Sequence, residues 1–137
     1  MTKKDNTGDL LKILNAGSLT DFLGREVTLP PFHDYISQLC QSRGEMREHV
    51  IKRSGINRTY GHQIFNGTRK PSRDKVIQLA FGFGLDTRQT QQLLETARES
   101  PLTPKVKRDA AILYGIMHRL NIAEIKKLLK SFDMAML

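Results

Sequence analysis

From Phe32 onward, apolar residues recur at helical spacing in short segments, and glycine, asparagine or proline closes each one. Phe32, Tyr35, Ile36, Leu39 and Cys40 fall at i, i+3, i+4, i+7 and i+8, ahead of Gly44. A second run, about Glu45 to Ser54, carries Met46, His49, Val50 and Arg53 and stops at Gly55. The third starts at Asn57, a good N-cap, and ends at Asn66-Gly67. Ser72 caps a fourth with Val76, Leu79, Ala80 and Phe83, and Gly84 ends it. Asp86 or Thr87 starts a fifth with Leu93, Leu94 and Ala97. Beyond a linker bracketed by Pro101 and Pro104, a sixth carries Ala110, Leu113, Tyr114 and Met117, and a seventh Ile122, Ile125, Leu128, Leu129 and Phe132. Helices this short are marginal in isolation. The chain must therefore bury their apolar faces against one another, and no useful stretch has strand period. The expected class is all-α.

Residues 1–29 read as a separate arm, with Leu10, Leu11, Ile13, Leu14, Leu19, Phe22 and Leu23 forming one or two short helices broken by Gly8, Gly17 and Gly24. Pro30-Pro31 ends the arm and sets up a helix start at Phe32. One internal repeat is visible, because residues 73–94 align without gaps on 108–129. Arg73-Asp74 matches Arg108-Asp109, Ile77 matches Ile112, Leu85 matches Leu120, and Leu93-Leu94 matches Leu128-Leu129. Two copies are too few for a solenoid, so the expectation is a pair of stacked helical hairpins.

Charge narrows the function. The formal net charge is +8, and it is concentrated in two stretches. Residues 43–75 hold nine Lys or Arg against three Asp or Glu, and residues 101–130 hold seven against two. A polyanionic partner fits this distribution. No apolar run reaches the ~20 residues of a bilayer span, and Thr2-Lys3-Lys4-Asp5 leads into polar sequence, unlike a secretory signal. The single cysteine, Cys40, has no internal partner and lies on an apolar face, as a packed core thiol would. A cytoplasmic location is the expectation. Catalysis has little to rest on. His33, His49, His62 and His118 are scattered, no metal-ligand spacing occurs, and Gly82-Phe83-Gly84 sits where a helix stops. Asp74 and Asp109 read as charges on helix N-termini. No catalytic residue, metal or cofactor is expected.

The informative segment runs from Glu45 to Pro71. A bihelical DNA reader needs a short first helix, a tight turn and a second helix able to enter the major groove. Gly55 supplies the turn, Ile56 plugs the angle, and Asn57 caps the second helix, expected over about residues 57–66. On that helix Arg58, Thr59, His62 and Gln63 form one polar face, while Ile64 and Phe65 turn inward. Arginine suits guanine O6/N7, glutamine suits adenine N6/N7, and threonine can meet a thymine methyl. Arg47, Asn57, Tyr60, Asn66, Arg69, Lys70 and Arg73 flank the face as candidates for backbone contacts.

With Gly55-Ile56-Asn57, Ile64-Phe65-Asn66-Gly67 and Arg69-Lys70-Pro71 in place, residues from about Phe32 to Leu94 resemble the lambda-repressor-like (XRE-type) helix-turn-helix family. The resemblance implies a five-helix DNA-binding domain over residues 30–100, and the C-terminal hairpin, residues 101–137, outside the resemblance, is expected to pack on the body. It implies that residues matching Arg58, Thr59 and Gln63 read bases, and that those matching Arg47, Asn66 and Lys70 approach the backbone. It further implies a regulator of transcription, with repression ahead of activation. Two positions depart from the family: Ile51 stands where it usually has Ala, and Gly61 where it usually has Val or Ile. A volume swap across the bihelical angle is the expected explanation. The expected partner is duplex DNA, with a homodimer formed through the hairpin or the arm as a further possibility. The rival reading keeps the scaffold but binds a protein partner instead, as an adaptor.

Overall fold

The structure is a computed structural model describing residues 7–24 and 29–137. Residues 1–6 and 25–28, including Thr2-Lys3-Lys4-Asp5, lie outside the described residues. Every regular element among the described residues is a helix: α1 Thr7–Ala16, α2 Leu19–Leu23, α3 Phe32–Ser42, α4 Arg47–Ser54, α5 Arg58–Asn66, α6 Arg73–Phe83, α7 Thr87–Thr96, α8 Lys107–Met117 and α9 Ile122–Ser131. No helix among these residues is long and apolar enough to cross a membrane.

Local chemistry sets the boundaries. Asn57 Oδ1 accepts the Tyr60 N–H, and Ser72 Oγ accepts the Lys75 N–H, so each side chain satisfies an otherwise unpaired donor of its helix. Asp86 with Gln89 and Asn121 with Glu124 close full capping boxes. The second run starts later than its pattern suggests: Met46 is the N-cap of α4 and is exposed, while Val50, Ile51 and Ser54 turn inward.

The core is continuous from α3 to α9, drawing Ile36 from α3, Val50 and Ile51 from α4, Ile64 from α5, Leu93 from α7, and Ile112, Ile125 and Leu129 from the last two helices. At its centre lies α6, with Val76, Ile77, Leu79, Ala80 and Phe83 all buried, packed against α4, α7 and α9. A helix apolar on most sides must be enclosed, and this one is. Gly84 ends the helix as expected, and Gly82, in its last turn, has a packing role besides. A Cβ there would overlap Ser54 Oγ and lie 2.7 Å from the Val50 carbonyl oxygen, so glycine is what lets α4 reach α6. Arg53 Nε donates to the Gly82 carbonyl at 2.9 Å and Arg43 to that of Phe83 at 2.8 Å, satisfying the end of α6.

The repeat is a structural one. Arg73 forks onto Asp109 at 3.1 and 2.9 Å, and Arg108 forks onto Asp74 at 2.9 and 3.0 Å. Each arginine also holds the end of its own hairpin. Arg73 reaches the Ser100 and Pro101 carbonyls, and Arg108 the Ala135 and Met136 carbonyls, the same positions one repeat later. Contacts exchange likewise, α6 with α9 and α7 with α8. Two copies that swap contacts in this way are related as the halves of an isologous dimer. The pairing is closed, which is why a third copy is not required to complete the core.

Asp74 and Asp109 lie in the first turns of α6 and α8, as expected, and are also ion-pair partners across the hairpins. One sequence expectation is corrected here. On α8, Tyr114 and Met117 point outward, and Phe132 after α9 is also exposed. The inward row is Asp109, Ile112, Leu113 and Ile116, because Asp109 must face Arg73 and that fixes the phase of the helix. Cys40 is buried against the core, where burial first and the Glu45 carboxylate second push its thiol up, away from reactivity.

Candidate nucleic-acid interface

The turn between α4 and α5 begins at Gly55, whose φ of 69° is the left-handed conformation glycine adopts without strain. Its N–H donates to the Lys52 carbonyl at 3.1 Å, and Ile56 is buried beneath the turn. Ile51 and Gly61 then meet in the angle between the helices. A Cβ at Gly61 would stand 2.5 Å from Ile51 Cγ2 and 2.8 Å from its Cγ1, so Ile51 already fills the volume a side chain at 61 would need. The expected facing of Ile51 and Gly61 across this angle is the observed packing.

With Ile64 and Phe65 buried, the opposite face of α5 presents Arg58, Thr59, His62 and Gln63 together. The Arg58 and Thr59 side chains are exposed, and those of His62 and Gln63 half-buried. The first turn of α4 ties itself to this face. Arg47 Nη1 donates to Asn66 Oδ1 at 2.8 Å, and the Arg47 guanidinium lies 5.2 Å from the Phe65 ring centre. Glu48 Oε1 takes Arg58 at 3.2 Å and stands 3.8 Å from His62 Nε2. Glu48 was not anticipated, and it is the one carboxylate held against the candidate base-reading groups by ion pairs among the described residues.

Flanking cations are held by an aromatic. The Arg69 guanidinium sits 4.4 Å from the Tyr60 ring centre and the Lys75 ammonium 5.6 Å from it, so Tyr60 keeps both charges at the edge of α5. Thr68 Oγ1 donates to the Gln63 carbonyl at 3.2 Å, closing the helix ahead of exposed Arg69 and Lys70. Asn57 is exposed beside the N-terminus it caps.

Arg73 does not join this group. Its guanidinium is held by Asp109 and by two carbonyls between the hairpins, so a phosphate contact would have to dismantle that network. In its place the structure brings Lys126 and Ile122 of α9 to the turn. A Cβ at Gly55 would lie 3.4 Å from both Lys126 Nζ and Ile122 Cγ1. The second basic stretch was visible in the sequence, but its placement beside Gly55 depends on the hairpin packing and has no local signal.

Chemically, the assembled surface offers guanidinium, ammonium, amide, imidazole and hydroxyl groups around an exposed helix face. Such a set can donate to base edges and phosphates. No group of three or more His, Cys, Asp or Glu among the described residues is placed to hold a metal ion. Comparison with protein-family models, with curated proteins and with solved structures finds no match to this chain.

Proposed function

We propose that this protein binds double-stranded DNA sequence-specifically as a transcriptional regulator of the lambda-repressor-like kind, acting by repression with α5 in the major groove. The observation that carries the reading is the outward face of α5. Arg58, Thr59, His62 and Gln63 stand together on a helix packed on α4 at the Ile51–Gly61 contact, between Arg47 and Asn66 on one side and Arg69 and Lys70 on the other. In this docking Arg58, Thr59, His62 and Gln63 meet base edges. Arg47, Asn57, Asn66, Arg69 and Lys70 contact the backbone, Tyr60 orients Arg69, and Lys126 adds a phosphate contact at the turn. Arg58 must leave Glu48 to do so, which is easy for an exposed pair.

Duplex binding measured against salt tests the proposal. Each phosphate neutralised by a lysine or arginine releases counterions, so a dimer with ~6–10 contacts should lose on the order of 10³–10⁵ in affinity between about 50 and about 200 mM salt, and a monomer less. Lys70→Ala should weaken all sequences alike and reduce the salt slope by about one. Flat salt dependence, or no duplex binding at low salt, would reject the reading and favour a scaffold that binds protein.

A further inference from the structure

The internal duplication exposes a surface whose equivalent in the other copy is sealed. In the first copy Leu79, Gly82 and Phe83 are buried, and Gly82 lies directly under Val50 and Ser54 of α4. The same positions one repeat later are Tyr114, Met117 and His118, and among the described residues no helix covers them. Tyr114 is 51% and Met117 64% exposed, with the Tyr114 and His118 rings stacked at 4.0 Å. Val106, which matches buried Pro71, is 50% exposed. Val106, Ala110, Tyr114 and Met117 fall at i, i+4, i+8 and i+11, one continuous stripe of α8 and its N-cap. The stripe is therefore an apolar helix-docking face of the type that α4 occupies on α6, left open.

The same chain carries an unmatched apolar helix pair. Neither α1 nor α2 has a buried residue, and Leu11, Leu19 and Leu23 are 60%, 61% and 70% exposed. Within one chain the arm does not cover the α8 stripe, since Tyr114 and Met117 remain open. The charges are complementary. The described part of the arm holds Lys12 against Asp9 and Asp21, whereas the exposed charges at the two ends of α8 are Lys105, Lys107 and Arg119, all basic. Arm onto stripe and stripe under arm is a self-complementary exchange, which closes as a two-fold dimer and leaves neither face over.

We propose that the α8 stripe is the seat for the α1–α2 arm of a second copy of this chain, giving an arm-exchanged homodimer. This stands apart from the DNA reading and needs no DNA to test. Light scattering or sedimentation of the full-length chain should show a concentration-dependent dimer. Met117→Glu and Leu23→Glu, both at exposed positions, should each weaken association at least about tenfold, while thermal unfolding at a concentration where the parent is monomeric stays unchanged. An equimolar mixture of the two variants keeps one intact arm–stripe pair and should associate more strongly than either alone. For location, a chain carrying Leu14→Cys and Met117→Cys should form a covalent dimer on mild oxidation, while buried Cys40 stays reduced. A chain that is monomeric throughout, a dimer indifferent to both substitutions, or a disulfide formed only within one chain would overturn the proposal.

Discussion

Ile51 and Gly61 meet across the angle between α4 and α5, so neither can change alone without cost. Gly61→Val drives a branched side chain into a filled site and should destabilise by roughly 1–3 kcal/mol. Ile51→Ala leaves a cavity beside a residue with no side chain to refill it and should cost roughly 2–5 kcal/mol. The double variant exchanges the two volumes, so denaturant unfolding of the four proteins should show a favourable coupling of about 0.5–3 kcal/mol. Additive losses would mean that the two sites do not share one space. Glu48 is the second residue whose effect has a definite sign. It holds Arg58 at 3.2 Å and adds negative charge beside a surface proposed to meet phosphate. Glu48→Gln frees Arg58 and should raise duplex affinity about 2–5-fold, in proportion to an exposed pair worth about 0.5–1 kcal/mol. A loss of affinity would instead make Glu48 a base-reading group. The Ile51–Gly61 contact could be anticipated because two departures from one motif compensated each other in volume. Glu48 could not, because its neighbours come from the facing helix.

Among the helices, what could be read in advance was what local chemistry decides. Asn57, Ser72 and Asp86 cap where their side chains suggested, and Gly55 turns the chain as a left-handed residue should. The facing of α8 was not readable from apolar spacing alone, since Ile112-Leu113 and Ile116-Met117 offer two overlapping stripes. An ion pair selects between them. Burial would by itself raise the Asp109 carboxyl, but the hydrogen bonds from Arg73 and the Thr103 N–H, and the charges of Arg73 and Arg108, hold it below its ordinary value. The folded protein therefore keeps this carboxylate charged to lower pH than the unfolded chain does. Its stabilisation is complete above the ordinary carboxylate value of about 3.9 and is lost as pH falls through the lower folded value. Asp109→Asn leaves a mostly buried guanidinium without its counter-charge. It should cost toward the lower end of about 3–5 kcal/mol, because Arg73 keeps its two carbonyl partners. Unfolding temperature followed from neutral to acid pH should fall less steeply in the variant than in the parent. Parallel curves would show that the pair contributes nothing to the acid limit.

For the molecule as a whole, the two α-hairpins form an internal pseudo-dimer built onto the α3–α5 unit, and α9 is thereby carried to the turn at Gly55. The repeat was visible as matched Arg-Asp pairs, yet nothing in the sequence said that the copies would pair with each other reciprocally. That arrangement takes Arg73 out of the proposed interface and brings Lys126 in. The central claim concerns the face of α5, and selection of bound duplexes from a random library with the purified chain tests it most directly. A defined motif should be recovered. Arg58→Ala and Gln63→Ala should each relax it at one position by about 1–3 kcal/mol while leaving the rest intact. Recovery of no motif, or of the same motif from Arg58→Ala, would contradict the reading of α5 as the element that recognises DNA.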